Sequence, residues 1–319
     1  MQLNELRKEM LFNKDLLALI DTLKNVAGAQ YHMLEKQKER FDMFMDAFAG
    51  FFKVVNLVEV DNPLVRVSSD VLGVVVVTSD SGFMGGLNQG VMRRAHAAAE
   101  GYDEDHISYV VIGDKGCGSF SDQGRKFKAF RGIDQDTIYE QSLEIKEYLV
   151  QEVLAGRMGK VILAYPCALS FTAQEVRSIS LLPCDELFER DEAADSAEAA
   201  RANGEGMLAD ATKVIIESSF NDIVEYLSGV WVTSKLYEVF EDSKLAEFSA
   251  RAMHLEGSLQ KLEKTFKKSQ HAVFKAVHEQ IDKSMRECHS AKMLKDKKKR
   301  KKKIARRNAA ADLAALQAA

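Results

Sequence analysis

Apolar residues recur in steps of three and four at both ends of this chain and in short continuous runs through its middle. From Leu3 to about Val58 the stripe includes Leu16, Leu19, Leu23 and Val26, then Phe41, Phe44, Met45, Phe48, Phe52 and Val55. That spacing predicts one long helix with a single buried face, and Pro63 falls after the pattern ends. A second, longer helix is predicted from about Leu208 to Cys288. Its seam runs through Leu255, Leu259, Leu262, Phe266, Val273, Val277, Ile281, Met285 and Cys288, with Ser269 as its polar member. Alternating steps of four and three are a heptad seam. At about 1.5 Å per residue, Leu208–Lys292 would run on the order of 125 Å. No small core covers that length. The seam is therefore expected to pack partly on the first helix, antiparallel, and partly on another chain.

Between residues 71 and 182 the period changes. Val71–Thr78 is a nearly continuous β-branched run, as expected of a strand buried on both faces. A glycine-rich turn, Ser79–Gly86, leads to a helical pattern over Leu87–Glu100. Ser108–Ile112, Phe127–Phe130, Lys160–Tyr165 and Gln174–Leu182 read as further strands, and Thr137–Ala155 as a helix. Strands alternating with helices predict a mostly parallel sheet with helices on its faces. The expected fold class is thus α/β: a Rossmann-like domain joined to a long antiparallel coiled coil of the N- and C-terminal helices.

Composition sharpens this picture. Three prolines in 319 residues suit long uninterrupted helices. Four scattered cysteines (Cys117, Cys167, Cys184, Cys288) form neither a zinc spacing nor a disulfide framework, which suits a reducing compartment. No apolar run reaches membrane-spanning length, and the N-terminal stretch reads as a mixed-charge helix rather than a signal peptide. The net charge of −4 hides an asymmetry, because residues 295–307 hold ten basic residues and one Asp. An acidic body with one basic tail lacks the broad basic face of a dedicated nucleic-acid binder. The lysine run suits nucleic acid, anionic lipid, an acidic partner or a nuclear-import receptor; it equally suits a solvated, partly disordered tail.

Candidate chemistry centres on Thr78-Ser79-Asp80-Ser81-Gly82-Phe83-Met84-Gly85-Gly86-Leu87-Asn88. A glycine-rich turn between strand and helix can present N–H groups to phosphate. The Walker pattern, however, needs Lys-Ser/Thr where Leu87-Asn88 stand, and the dinucleotide glycine spacing is missing. Asp80 would repel an anion. The expected role is a structural turn in which Gly85 and Gly86 let helix and strand approach closely. Gly113–Gly118 reads as a second structural βα turn. Neither Ser79 nor Ser81 sits in a nucleophile elbow. His271, His278 and His289 fall on one helix without forming a ligand set, and Cys117 is read as inert sooner than redox-sensitive. No catalytic residue, cofactor site or metal site is expected.

Three stretches give the chain a family resemblance. Val76–Asn88 is very similar to "TSDRGLCGGLN" of the gamma subunit, the central-stalk rotor, of F-type ATP synthases. Val111–Gly118 with Phe120 resembles that family's "IGKKG" strand and turn. Glu247–Met253 resembles the start of its C-terminal shaft, and Ile281, Met285 and Glu287 fit later shaft positions. Leu23–Ala29 is similar to the family's "MKMVAAS". Departures also stand out. Asp15 and Asp21 lie in the first helix, where the family is rich in Lys and Arg. Ser258–Leu262 replaces "ATDNA", Val277 and His278 replace an Arg-Gln pair, and the lysine run follows the family's usual end.

The resemblance implies a non-catalytic rotor subunit that couples ion flow to ATP synthesis or hydrolysis. It implies contacts with alpha and beta subunits through the shaft positions above, and with an epsilon (or delta) subunit and a membrane c-ring. The membrane is then met only through partners, on the cytoplasmic face in bacteria sooner than on an organellar inner or thylakoid membrane, and nucleic acid is not an expected partner. The expected organisation is a shaft helix over 1–62, the α/β domain over 70–184 and an acidic linker over 185–207. A second shaft helix over 208–294 and a basic, alanine-rich tail over 295–319 follow. Two other readings stand beside it: a coiled-coil scaffold whose basic tail docks nucleic acid or anionic membrane, and a small α/β enzyme using the Asp80 turn as an anion site.

Overall fold

The computed structural model describes residues 3–55, 62–67, 69–184 and 220–317. These fall into two compact units, Met1–Ile20 with Ser258–Ala319, and Asp21–Gly257. Two helices contribute to both: α1 (Leu3–Val55) and α5 (Phe220–Gln317). The expected linker 185–207, the expected helix start over 208–219 and residues 56–61 lie outside the described residues.

The larger unit holds a five-stranded sheet in the order β3-β2-β1-β4-β5. Strand β1 (Leu72–Val77) is central and buried along its whole length, which its valine run anticipates. It pairs in parallel with β2 (Ile107–Ile112) and β4 (Lys160–Ser170), and β2 pairs in parallel with β3 (Phe127–Phe130). Strand β5 (Ala173–Leu182) returns antiparallel to β4, so the sheet is mixed. Alternate residues of β1 face opposite cores. Val74 and Val76 meet α2 (Leu87–Ala98) and α3 (Asp114–Asp122), where Val91, Ala95 and Phe120 are buried. Val75 and Val77 meet α4 (Ile138–Leu154) and α5, through Ile145, Leu149, Trp231, Val232, Leu236 and Phe240. Further along α5, Leu245 and Phe248 close on Tyr31 and Leu34 of α1, and Lys24 meets Glu256 at 3.2 Å. As the number on α1 rises its partner's falls, so the two helices run antiparallel.

Three local readings change. The segment Gly113–Gly118 is not a turn: α3 begins at Asp114, and only Gly113, at φ 97, lies outside it. Strand β4 runs on through Pro166 to Ser170, past the expected end at Tyr165, because its hairpin with β5 supplies pairing that a run opening on a proline does not advertise. The lysine run continues α5 as helix instead of ending it. No glycine or proline follows Gly257, and Lys, Arg and Ala are good helix formers.

The smaller unit contains the first turns of α1 and the later part of α5. Ser269 is buried there, and Asn13 Nδ2 donates to its Oγ at 3.1 Å. The polar member of the seam is therefore a hydrogen-bonded pair across the helices. Val273 is buried and Leu259, Leu262, Phe266 and Val277 are half-buried. From His278 to Ile304 every side chain is exposed. The described part of α1 ends at Leu3, which by equal rise on both helices lies across from about residue 279.

Candidate functional site

Strand β1 delivers Thr78, Ser79 and Asp80 to the top of the sheet, beside the start of α3. The first N–H groups of a helix have no partner within it. Here the turn supplies acceptors for three of them, and the Phe130 carbonyl accepts from Gly113 N at 3.1 Å. Asp80 Oδ1 accepts from Asp114 N at 2.9 Å, the Ser79 carbonyl from Lys115 N at 3.1 Å, and Thr78 Oγ1 from Gly116 N at 2.9 Å. Thr78 Oγ1 in turn donates to the Ile112 carbonyl at 2.7 Å. Asp80 Oδ1 also accepts from Gly132 N at 3.1 Å. The first N–H groups of α3 are thus occupied by the chain itself and are not open to an anion. Asp80 is a helix cap and a crosslink rather than a bystander to an empty loop.

Close approach does occur, but not where it was expected. A Cβ at Gly86 would meet open space, whereas one at Gly116 would press on Thr78 and Val111, and one at Gly132 on the Asp80 carboxylate. Gly85 sits at φ 59 beside His254, so its requirement is mainly conformational. Phe83 holds a left-handed φ of 67 while exposed, a conformation that costs a bulky side chain on the order of 1 kcal/mol. Leu87 opens α2. Asn88 folds back on the turn, with Nδ2 donating to Ser79 Oγ at 2.9 Å and Oδ1 accepting from Ser79 N at 3.3 Å.

The same turn is clamped to α5. Glu247, 7% exposed, is paired with Lys244 at 2.9 Å and with Arg251 one helical turn away. Arg251 also donates to Ser81 Oγ and, through Nε, to the Gly82 carbonyl at 3.5 Å. Two of the stretches that carry the family resemblance, 76–88 and 247–253, are therefore in direct contact. Sequence reasoning did not assign Glu247 and Arg251 a role, although their i, i+4 spacing on a helix is the signature of an ion pair.

The shaft positions spread over the two units. Leu255 is buried in the larger one. In the smaller one Ile281 and Met285 are 47% and 67% exposed. Cys117 is half-buried, and burial, then the Asp114 and Asp80 carboxylates, push its thiol pKa up, away from the reactive thiolate. Among the described residues no group of His, Cys, Asp and Glu is placed to hold a metal, and no helix is long and apolar enough to cross a membrane.

Comparison with known proteins agrees with this arrangement. A gamma chain of ATP synthase from Desulforudis audaxviator is 28% identical over 207 residues, covering 63% of this chain and 66% of that one. The corresponding chain of Chlorobaculum parvum is 30% identical over 198 residues, covering 60% and 62%. The chain thus spans just under two thirds of the length of these curated relatives. A chain of the Euglena gracilis mitochondrial ATP synthase rotor superposes with a TM-score of 0.59 at 16% identity, covering 88% of this chain and 98% of that one. The family model described as ATP synthase matches residues 2–292. With that match running through both long helices and the sheet between them, the chain belongs to the ATP synthase gamma family.

Proposed function

We propose that this chain is the central-stalk rotor subunit of a rotary ATP synthase/ATPase, a mechanical coupler that performs no chemistry itself. The observation that carries the reading is the clamp of Glu247 and Arg251 on the 78–88 turn, in a chain of this family. It ties the sheet domain to the helix that continues into the seam, as a torque-bearing joint requires. The expected partners are alpha and beta subunits along the seam, and an epsilon or delta subunit and a c-ring at the sheet domain. The chain would be peripheral on an energy-coupling membrane, on its cytoplasmic face in a bacterium. An asymmetric helix pair that contacts three catalytic sites differently biases each toward a different conformation as it turns.

The test is purification of the tagged chain from native membranes. Alpha and beta subunits should accompany it, with ATP hydrolysis residing in that assembly and absent from the chain alone. Leu262→Asp and Phe266→Asp should reduce assembly while leaving the sheet domain folded, because an unpaired charge in an apolar contact costs several kcal/mol, roughly. Recovery of the chain without alpha and beta subunits would sink the proposal.

A further inference from the structure

Residues 292–303 of α5 carry nine basic side chains and one Asp, and every one of these side chains is exposed. The most C-terminal ion pair of α5 among the described residues is Lys275 with Glu279, so no ion pair among them reaches this stretch. At 3.6 residues per turn the basic positions surround the helix, leaving no arc wider than about 60° without one. Like charges at i, i+3 and i, i+4 oppose helix formation. A helix so built gains from a polyanion that reaches all its sides.

We propose that residues 292–303 form a basic collar that takes an enclosing acidic protein surface, a ring of carboxylates contributed by the subunits surrounding the shaft. This rests on the rotor reading. The geometry decides among polyanions. An interfacial helix enters a membrane by gathering apolar residues on one broad face and its cations on the other. Here the exposed Met293, Leu294 and Ile304 share one arc of about 100°, but Lys297 and Lys301 stand inside that arc and cations stand on every other side. A flat anionic surface would leave half of the charge unused. The rest of the chain is net acidic, which disfavours approach to nucleic acid.

The test compares the full chain in its native assembly with two variants on opposite sides of the helix, Lys297→Gln with Lys301→Gln and Lys299→Gln with Lys303→Gln. The readout is the salt concentration at which half of the chain leaves the alpha and beta subunits. Both variants should lower it by a similar factor, about 1.5-fold, since exposed charge pairs are screened by salt. An effect from one side alone, or from neither, overturns the collar. Salt-sensitive binding of the full chain to vesicles containing a third anionic lipid, or to a 30-base-pair DNA duplex, weakened by both variants, also overturns it. If the unaltered chain comes away without alpha and beta subunits, the rotor reading fails and the collar with it. If the assembly is intact and neither midpoint moves, only the collar fails.

Discussion

Glu247 is held by two cations at once, Lys244 and Arg251, and the three side chains are 10%, 13% and 16% exposed. Removing one cation leaves the carboxylate a partner, whereas removing the carboxylate deprives both half-buried cations of their anion. Glu247→Gln should therefore cost more stability than Arg251→Gln, roughly 3 against roughly 1–2 kcal/mol, as read from urea midpoints. Equal losses would mean that Lys244 does not share the carboxylate. His96 makes a second residue-scale prediction. Its ring stacks on Phe120 at 5.6 Å and its Nδ1 lies 3.4 Å from the Arg125 guanidinium. Burial first, and then the Arg125 charge, hold its pKa below the usual value. Below about pH 6.5 the unfolded chain takes up a proton that the folded chain declines, so stability falls from there down toward the lowered folded pKa. Denaturation midpoints measured between pH 7.5 and 5 should show this slope, and His96→Gln should flatten it. The turn's importance was legible at this scale, but its role was not. Asp80 looked like a repellent for ligands because its acceptors' partners, Asp114 N and Gly132 N, lie 34 and 52 residues away.

Among the elements, the long helices and the buried strand β1 were plain from periodicity alone, since a stripe or run that long has few competing explanations. Helix α3 was not. Its sequence DKGCGSFSD holds two glycines within nine residues, which local propensity reads as a turn. Tertiary hydrogen bonds from Thr78, Ser79 and Asp80 override that propensity. Ser269 is the opposite case. As one residue it weakens an apolar seam, but paired with Asn13 it becomes a polar contact that favours one register over its neighbours. The pair should show a coupling energy of about 1 kcal/mol in a double-mutant cycle of Asn13→Ala and Ser269→Ala. A coupling near zero would mean that Thr265, whose carbonyl accepts from Ser269 Oγ at 3.2 Å, satisfies the serine unaided.

At the scale of the whole molecule, the family resemblance was visible in the sequence because the 76–88 stretch is specific. The meeting of that stretch with 247–253 was hidden by a separation of about 170 residues. That separation bears on how the chain is made. One face of the sheet is covered by α4 and by Trp231, Val232, Leu236 and Phe240 of α5. A ribosome adds about 5–20 residues per second, so the interval between completing β5 at Leu182 and Phe240 is on the order of 3–12 s. During that interval the nascent sheet offers one incompletely covered apolar face to its surroundings. The helix that carries the clamp is thus also the last cover to arrive, and the newborn chain is at its most aggregation-prone just before that helix emerges.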